Sequence, residues 1–248
     1  MIKIKSYGSG SSGNCYFLTN NQTNIILECG LNEETINKIL NDNNIEYKDI
    51  SACITSHCHN DHSLNIKLFQ DYGIKCYCTY ETKLRYLLKE DNFIPLKDEM
   101  YFKIGNIQVM SFRVNHGKTE CYGFIFKDKD SMKLFITDFM SFEADLSDFK
   151  VDEIFIECNY VENNLELARE NNDSSFLKTK YDRQLNTHCS LENLITLLQS
   201  NKINISNVNK INLIHISKDL GNKDLMKNTI IEEVGIYTTC LLPNGEEY

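Results

Sequence analysis

The stretch Ile54-Thr55-Ser56-His57-Cys58-His59-Asn60-Asp61-His62-Ser63 puts three imidazoles and a carboxylate within six residues, directly behind an apolar strand-like run. Such a cluster is unfavourable when stripped of water unless it finds a partner, and a divalent cation serves all four groups at once. In an extended loop His57 and His59, two apart, point to the same side and can chelate one ion. Asp61 and His62 lie further round the turn and can reach a second. Cys58 falls on the opposite side of the alternation and reads as a non-ligand. The segment therefore predicts two adjacent metal sites at a strand end.

Working outward, strand-like runs cover Met1–Ser6, Cys15–Thr19, Asn24–Glu28, Ala52–Ser56, Lys75–Cys78, Ile107–Val114, Cys121–Phe126, Lys133–Thr137, Glu153–Glu157 and Ile211–Ile216. Amphipathic windows with apolar residues at three- and four-residue steps predict helices over Asn32–Asn43, Glu81–Glu90, Ser190–Ser200 and Asp224–Val234. Hairpin-like strands give way to β/α alternation, and the pattern occurs twice, which predicts an α/β protein with helix-covered sheets. All six histidines, His57, His59, His62, His116, His188 and His215, fall at or just after strand ends or in loops, where polar groups gather over a rigid scaffold.

Composition narrows the class. At 248 residues, 42% hydrophobic and 25% charged, the chain can bury a substantial core and is neither low-complexity nor disordered. Only two prolines, Pro95 and Pro243, and no Gly/Ser linker interrupt it, so one domain over 1–248 is expected. No apolar run reaches a membrane span, and the N-terminus lacks a secretory signal, so a cytoplasmic protein without a membrane partner is expected. In that compartment the ten cysteines read as reduced thiols. A net charge of −9 speaks against a wide basic nucleic-acid face, though not against a short local track.

The H-x-H-x-D-H pattern at a strand end resembles the signature of metallo-β-lactamase-fold hydrolases, and later residues match that superfamily in order. The resemblance implies a four-layered αβ/βα sandwich. It implies that one ion takes His57, His59 and His116, the other Asp61, His62 and His215, with Asp138 between them. Tyr7-Gly8-Ser9-Gly10-Ser11-Ser12-Gly13-Asn14-Cys15, Ile26-Leu27-Glu28-Cys29-Gly30, Glu157-Cys158-Asn159-Tyr160 and Thr187-His188-Cys189-Ser190 resemble a bacterial and phage subgroup that includes DNA exonucleases associated with the cell-wall regulon. Glu28 stands where that subgroup usually has aspartate, and Tyr160 where it usually has histidine.

Paired ions suit in-line attack on a phosphodiester. The expected activity is thus a metal-dependent phosphodiesterase, foremost a nuclease of DNA-exonuclease type, acting on a nucleic acid or nucleotide. Asp138 would bridge, Asp61 could orient the nucleophile, and His188 would contact the scissile phosphate or protonate the leaving oxygen. Ser11 and Asn159 are candidate phosphate contacts, and Arg113 and Lys118 could add positive potential beside His116. Imidazole-rich ligands suit zinc, with manganese the alternative. Rival readings are a phosphodiesterase for small or cyclic nucleotides, and a thioester, ester or lactam hydrolase on the same scaffold. Oligomeric state is not legible.

Overall fold

The structure is a computed structural model and describes residues 1–171, 174–242, 244 and 246–248; Pro243 lies outside them. The first sheet runs in chain order: β1 (Lys3–Gly8), β2 (Cys15–Thr19), β3 (Asn24–Cys29), β4 (Ala52–Ile54), β5 (Cys76–Cys78) and β6 (Phe93–Pro95). β1 to β3 form an antiparallel meander, and β3 to β6 are parallel. Its helices are α1 (Glu33–Asp42), α2 (Asn60–Ser63), α3 (Ile66–Asp71) and α4 (Tyr80–Tyr86).

The second sheet repeats the scheme. β7 (Met100–Ile104), β8 (Ile107–His116), β9 (Thr119–Lys127) and β10 (Met132–Ile136) are antiparallel, with β11 (Ser141–Phe142) on β8. Parallel β12 (Glu153–Glu157), β13 (Lys210–Ile214) and β14 (Thr238–Cys240) follow. Its helices are α5 (Glu162–Glu170), α6 (Ser175–Thr187), α7 (Leu191–Gln199) and α8 (Lys223–Val234).

Three buried clusters make the four layers. Tyr16, Leu18, Ile25 and Leu27 of the first sheet meet Phe124, Phe126, Phe135 and Phe155 of the second, and Tyr16 packs edge-on to Phe135 at 5.0 Å between ring centres. On the outer face of the first sheet, Phe17, Ile26 and Cys53 cover Ile36, Ile39 and Leu40 of α1 and Phe69 of α3. On the outer face of the second, Ile154 and Ile211 cover Leu194 and Leu198 of α7 and Met226 and Ile230 of α8. This is the αβ/βα sandwich. Because both faces of the sheets are covered, inner strands such as β2 are buried along nearly their whole length instead of alternating.

The sequence-predicted helices stand within a residue or so, held by the expected caps: Asn32 accepts from the Thr35 amide, Ser190 from Asn193 and Asn222 from Leu225. One differs. The window Glu81–Glu90 is helical only to Tyr86, because Leu87 turns left-handed at φ 52° and the chain enters a 3-10 turn at Glu90–Asn92. All ten cysteines are free thiols. Among the described residues no helix is long and apolar enough to cross a membrane.

Candidate metal centre

Parallel strands deliver their carboxyl ends to one edge of a sheet, where ligands bind in open α/β folds. Here β3 ends beside Glu28, β4 runs into His57, β10 into Asp138, β12 ends on Glu157 and β13 runs into His215. Three of these turns are left-handed at non-glycine residues, with φ 59° at Glu28, 47° at Asp138 and 51° at His215. Such backbone is unfavourable by about 1–3 kcal/mol per residue and persists where the surroundings enforce it, commonly at functional sites. It swings all three side chains inward.

The seven sequence-predicted metal residues converge. His57 Nε2 lies 2.8 Å and His116 Nε2 3.4 Å from His59 Nδ1, and Asp138 Oδ2 faces both rings, 3.9 Å from His57 Nε2 and 3.6 Å from His116 Nε2. On the other side of the same carboxylate, Asp138 Oδ1 is 3.2 Å from His62 Nε2. Asp61 Oδ2 stands 3.4 Å from His62 Nε2 and 3.5 Å from His215 Nε2. In the groupings His57–His59–His116–Asp138 and Asp61–His62–His215 the ligand-type atoms lie within 4.8 Å of one another, as they do in a third that overlaps both, Asp138–Glu157–His188–His215. Cys58 joins none of them; its thiol turns away to Glu81 Oε2 at 3.6 Å.

Four of the rings have a polar group beside their other nitrogen, an arrangement that fixes tautomers around metals. His57 Nδ1 meets Ser56 Oγ at 2.9 Å, and His116 Nδ1 donates to the Thr187 carbonyl at 2.7 Å. His62 Nδ1 faces Glu28 Oε2 at 3.4 Å. His215 Nδ1 and His188 Nδ1 both donate to Glu157 Oε1, at 2.8 and 2.7 Å. The remaining nitrogen of His57, His62, His116 and His215 is thereby aimed at the centre. His215 Nε2 is fully buried yet makes no hydrogen bond, which is unfavourable for the chain alone and fits a site that expects a cation.

Charge divides the cluster. Burial, reinforced by neighbouring imidazoles, holds His57 well below its ordinary value and His59 down to about 4, and burial also lowers His116, so this trio is neutral as metal ligation requires. Burial acts the same way on His62 and His215, but the carboxylates override it. Asp138 and Asp61 hold His62 well above its usual range, and Asp138, Asp61 and Glu157 push His215 up to about 10.

The N-terminal Gly/Ser loop acts as a brace. The Asn14 amide donates to the Asp61 carbonyl at 2.7 Å and its side chain to the same oxygen at 3.1 Å, while Ser9 Oγ accepts from the His215 amide at 2.9 Å. Gly30 lies against the metal loop so closely that a Cβ would sit 1.8 Å from the Asp61 carbonyl oxygen, so only glycine fits. Sequence reading gave Ser9, Asn14 and Ser56 no role, and it placed Glu157 in a motif without assigning its work. Glu157 is fully buried, and its second oxygen accepts from the Phe139 amide at 3.0 Å and the Cys189 amide at 3.2 Å. Its place at a parallel-strand end beside those of Asp138 and His215 is the signal that could have found it.

Of the other predicted residues, His188 caps the end of α6 and lines, with Ser11 and Asn159, a groove beside His215. The Asn159 side chain is spent inside the protein: it donates to the His215 carbonyl at 2.7 Å and accepts from Gln184 Nε2. It acts as a strut under the groove and offers substrate no free donor. Arg113 and Lys118 line a different groove with Asp98, Glu99, Glu143 and Asp145, whose carboxylates offset them. Tyr160 is buried against Leu165, Tyr181 and Leu220, an anchor for α5 and α6.

Fold and site together are similar to those of the metal-dependent hydrolases of the metallo-β-lactamase superfamily. Residues 8–117, less than half of the chain, match the model of that superfamily. It is similar to the exodeoxyribonuclease WalJ of Streptococcus pneumoniae, 27% identical over 243 residues that cover 94% of this chain and 88% of that relative. It is also similar to the exodeoxyribonuclease YycJ of Bacillus anthracis, 24% identical over 139 residues covering 52% of each. Among solved structures, the metallo-β-lactamase fold protein YhfI of Bacillus subtilis superposes with a TM-score of 0.73 at 14% identity, over 100% of this chain and 99% of that one, a likeness of fold.

Proposed function

We propose that the chain, as one domain over residues 1–248, is a phosphodiesterase of nuclease type, a DNA exonuclease, that works with two divalent ions. The observation that carries the reading is the division of Asp138: one carboxylate oxygen faces the His57–His59–His116 trio, the other faces His62 and His215. A carboxylate shared in this way suits a pair of ions, with zinc first and manganese second for this donor set. The names of the two curated relatives support a DNA substrate, and such a substrate suits a cytoplasmic protein.

When bound, the ions would supply Lewis-acid polarisation of the phosphoryl group and a nucleophile at neutral pH. The chain's own residues do the rest. His57, His59 and His116 would hold one ion and Asp61, His62 and His215 the other. Asp61, with a quarter of its side chain open, would orient the attacking water. His188 keeps Nδ1–H on Glu157, so its Nε2 faces the groove, placed to bind the scissile phosphate or carry a proton to the leaving oxygen. The test is turnover of end-labelled DNA by zinc- or manganese-loaded protein: stepwise loss of terminal nucleotides is expected. Intact DNA alongside a hydrolysed thioester or lactam would overturn the reading.

Metal loading should release protons. At neutral pH the metal-free chain keeps His62 and His215 protonated, since both have raised values. An ion on their nitrogens displaces about two protons. Affinity at this half should therefore rise with pH from neutrality toward the raised His215 value of about 10. Calorimetric titration in two buffers of different ionisation heat reads the release directly; a buffer-independent heat at neutral pH would contradict it.

A further inference from the structure

Helix α6 has two faces. Leu177, Tyr181 and Leu185 pack down onto Tyr160, Leu165 and Leu220. At three- and four-residue steps on the other face stand Phe176, Thr179, Lys180, Arg183 and Gln184, which form one wall of a groove of ≈ 390 Å³. Ser217, Lys218 and Asp219 make the opposite wall, and His188 and His215 line the same space, so the groove opens directly onto the candidate metal centre.

The polar inventory of this groove points to a polyanion with exposed rings. Lys180 is matched by Asp219 at 3.1 Å, and the neighbouring acid Asp182 is turned to Arg169 at 2.8 Å. Arg183 and Lys218 make no ion pair among the described residues. Two unmatched cations beside the centre stand out in a chain of net charge −9. Phe176 is 76% exposed in line with them. An aromatic face next to spaced cations is the pattern that binds single-stranded nucleic acid, bases stacking on the ring and phosphates on the cations. Inside a duplex both faces of a base are already stacked on its neighbours.

We propose that this groove is the track for the unpaired strand adjoining the scissile phosphate, with Phe176 stacking a base and Arg183 and Lys218 clamping the flanking phosphates. The proposal deepens the phosphodiesterase reading and rests on it: the site would take a polynucleotide strand in preference to a cyclic mononucleotide, which cannot span His188 and Phe176 together. It also gives an acidic protein a local means of holding DNA.

The test separates binding from cutting. Anisotropy of a short labelled oligothymidylate is measured with metal-free protein across a salt series, for the unaltered chain and for F176A, R183Q, K218Q and K178Q. Lys178 sits on the same helix but outside the groove, so K178Q controls for charge loss alone. The expected result is roughly ten-fold weaker binding for F176A. R183Q and K218Q should each lower the salt slope by about 0.7, and K178Q should match the unaltered chain. With metal added, the track variants should raise KM for the oligonucleotide, K178Q should match the unaltered chain on it, and bis(p-nitrophenyl) phosphate reports turnover by the unaltered chain. Binding and slopes that stay at the unaltered values, an equal loss in K178Q, or tighter binding of a blunt duplex than of the single strand would each overturn the track. Absence of turnover on both substrates by the unaltered chain would instead overturn the phosphodiesterase reading, and the binding series would still decide the track.

Discussion

Replacing Asp138 with asparagine is expected to remove one of two bound ions and to lower phosphodiester turnover on the order of 10³-fold, the scale seen when a preorganised contact to developing charge is deleted. The substitution keeps the volume, so the core around it should stand. What changes is that one carboxylate oxygen becomes an amide nitrogen. If that nitrogen takes the Oδ1 position, it meets His62 Nε2 at 3.2 Å and His215 Nδ1 at 3.1 Å, and a ligand atom of the second group is gone. If it takes the Oδ2 position, the trio His57–His59–His116 loses its anion. Neither orientation serves both groups. Metal analysis after dialysis, paired with turnover of bis(p-nitrophenyl) phosphate, checks this. Two retained ions with turnover close to that of the unaltered chain would contradict it.

The second large effect is expected at Glu157, which acts through His188 and His215. Its two oxygens accept from His188, His215 and the amides of Phe139 and Cys189, and the carboxylate itself is fully buried. E157Q puts a donor where either both imidazoles or both amides need an acceptor. Breaking a buried, hydrogen-bonded charge cluster in this way is unfavourable by about 3–5 kcal/mol, which for a chain of this size lowers Tm by roughly 6–20 °C. Loss of the His215 orientation should weaken metal binding a further 10–100-fold. The pH sign follows from its titration: burial raises the Glu157 value, yet His188 and His215 override this and hold it below the ordinary carboxylate range. Its stabilisation is therefore present above the unfolded-state pKa and fades as acid protonates it. The Tm gap between E157Q and the unaltered chain, measured in chelator, should be widest near neutral pH and close in acid. A gap that is constant with pH, or absent, would contradict the role.

How much of this was legible in the sequence varies with the physical signal. The metal loop was readable because three imidazoles and a carboxylate cannot sit behind a buried strand without a partner. The central strands were readable because runs such as Leu134–Ile136 and Ile154–Ile156 are covered on both faces. Helix α6 was not, since its apolar stripe is only Leu177, Tyr181 and Leu185, too narrow beside Lys178, Lys180, Asp182 and Arg183 to stand out. Short edge strands such as β7 and β14 carry little apolar periodicity of their own and are fixed by their neighbours. Asn159 shows the converse limit. A polar residue near a metal motif reads as a substrate contact, but only the fold shows that its amide is committed to His215 and Gln184. Glu157 and Ser9 owe their importance to partners 58 and 206 residues away, separations at which no local pattern exists.

The most direct test of the whole account is an anomalous-scattering map from crystals of the zinc-loaded chain, collected on either side of the metal edge. Two peaks are predicted, one enclosed by His57, His59 and His116 and one by Asp61, His62 and His215, with a single oxygen of Asp138 reaching toward each. One peak alone, or peaks held by other side chains, would contradict it.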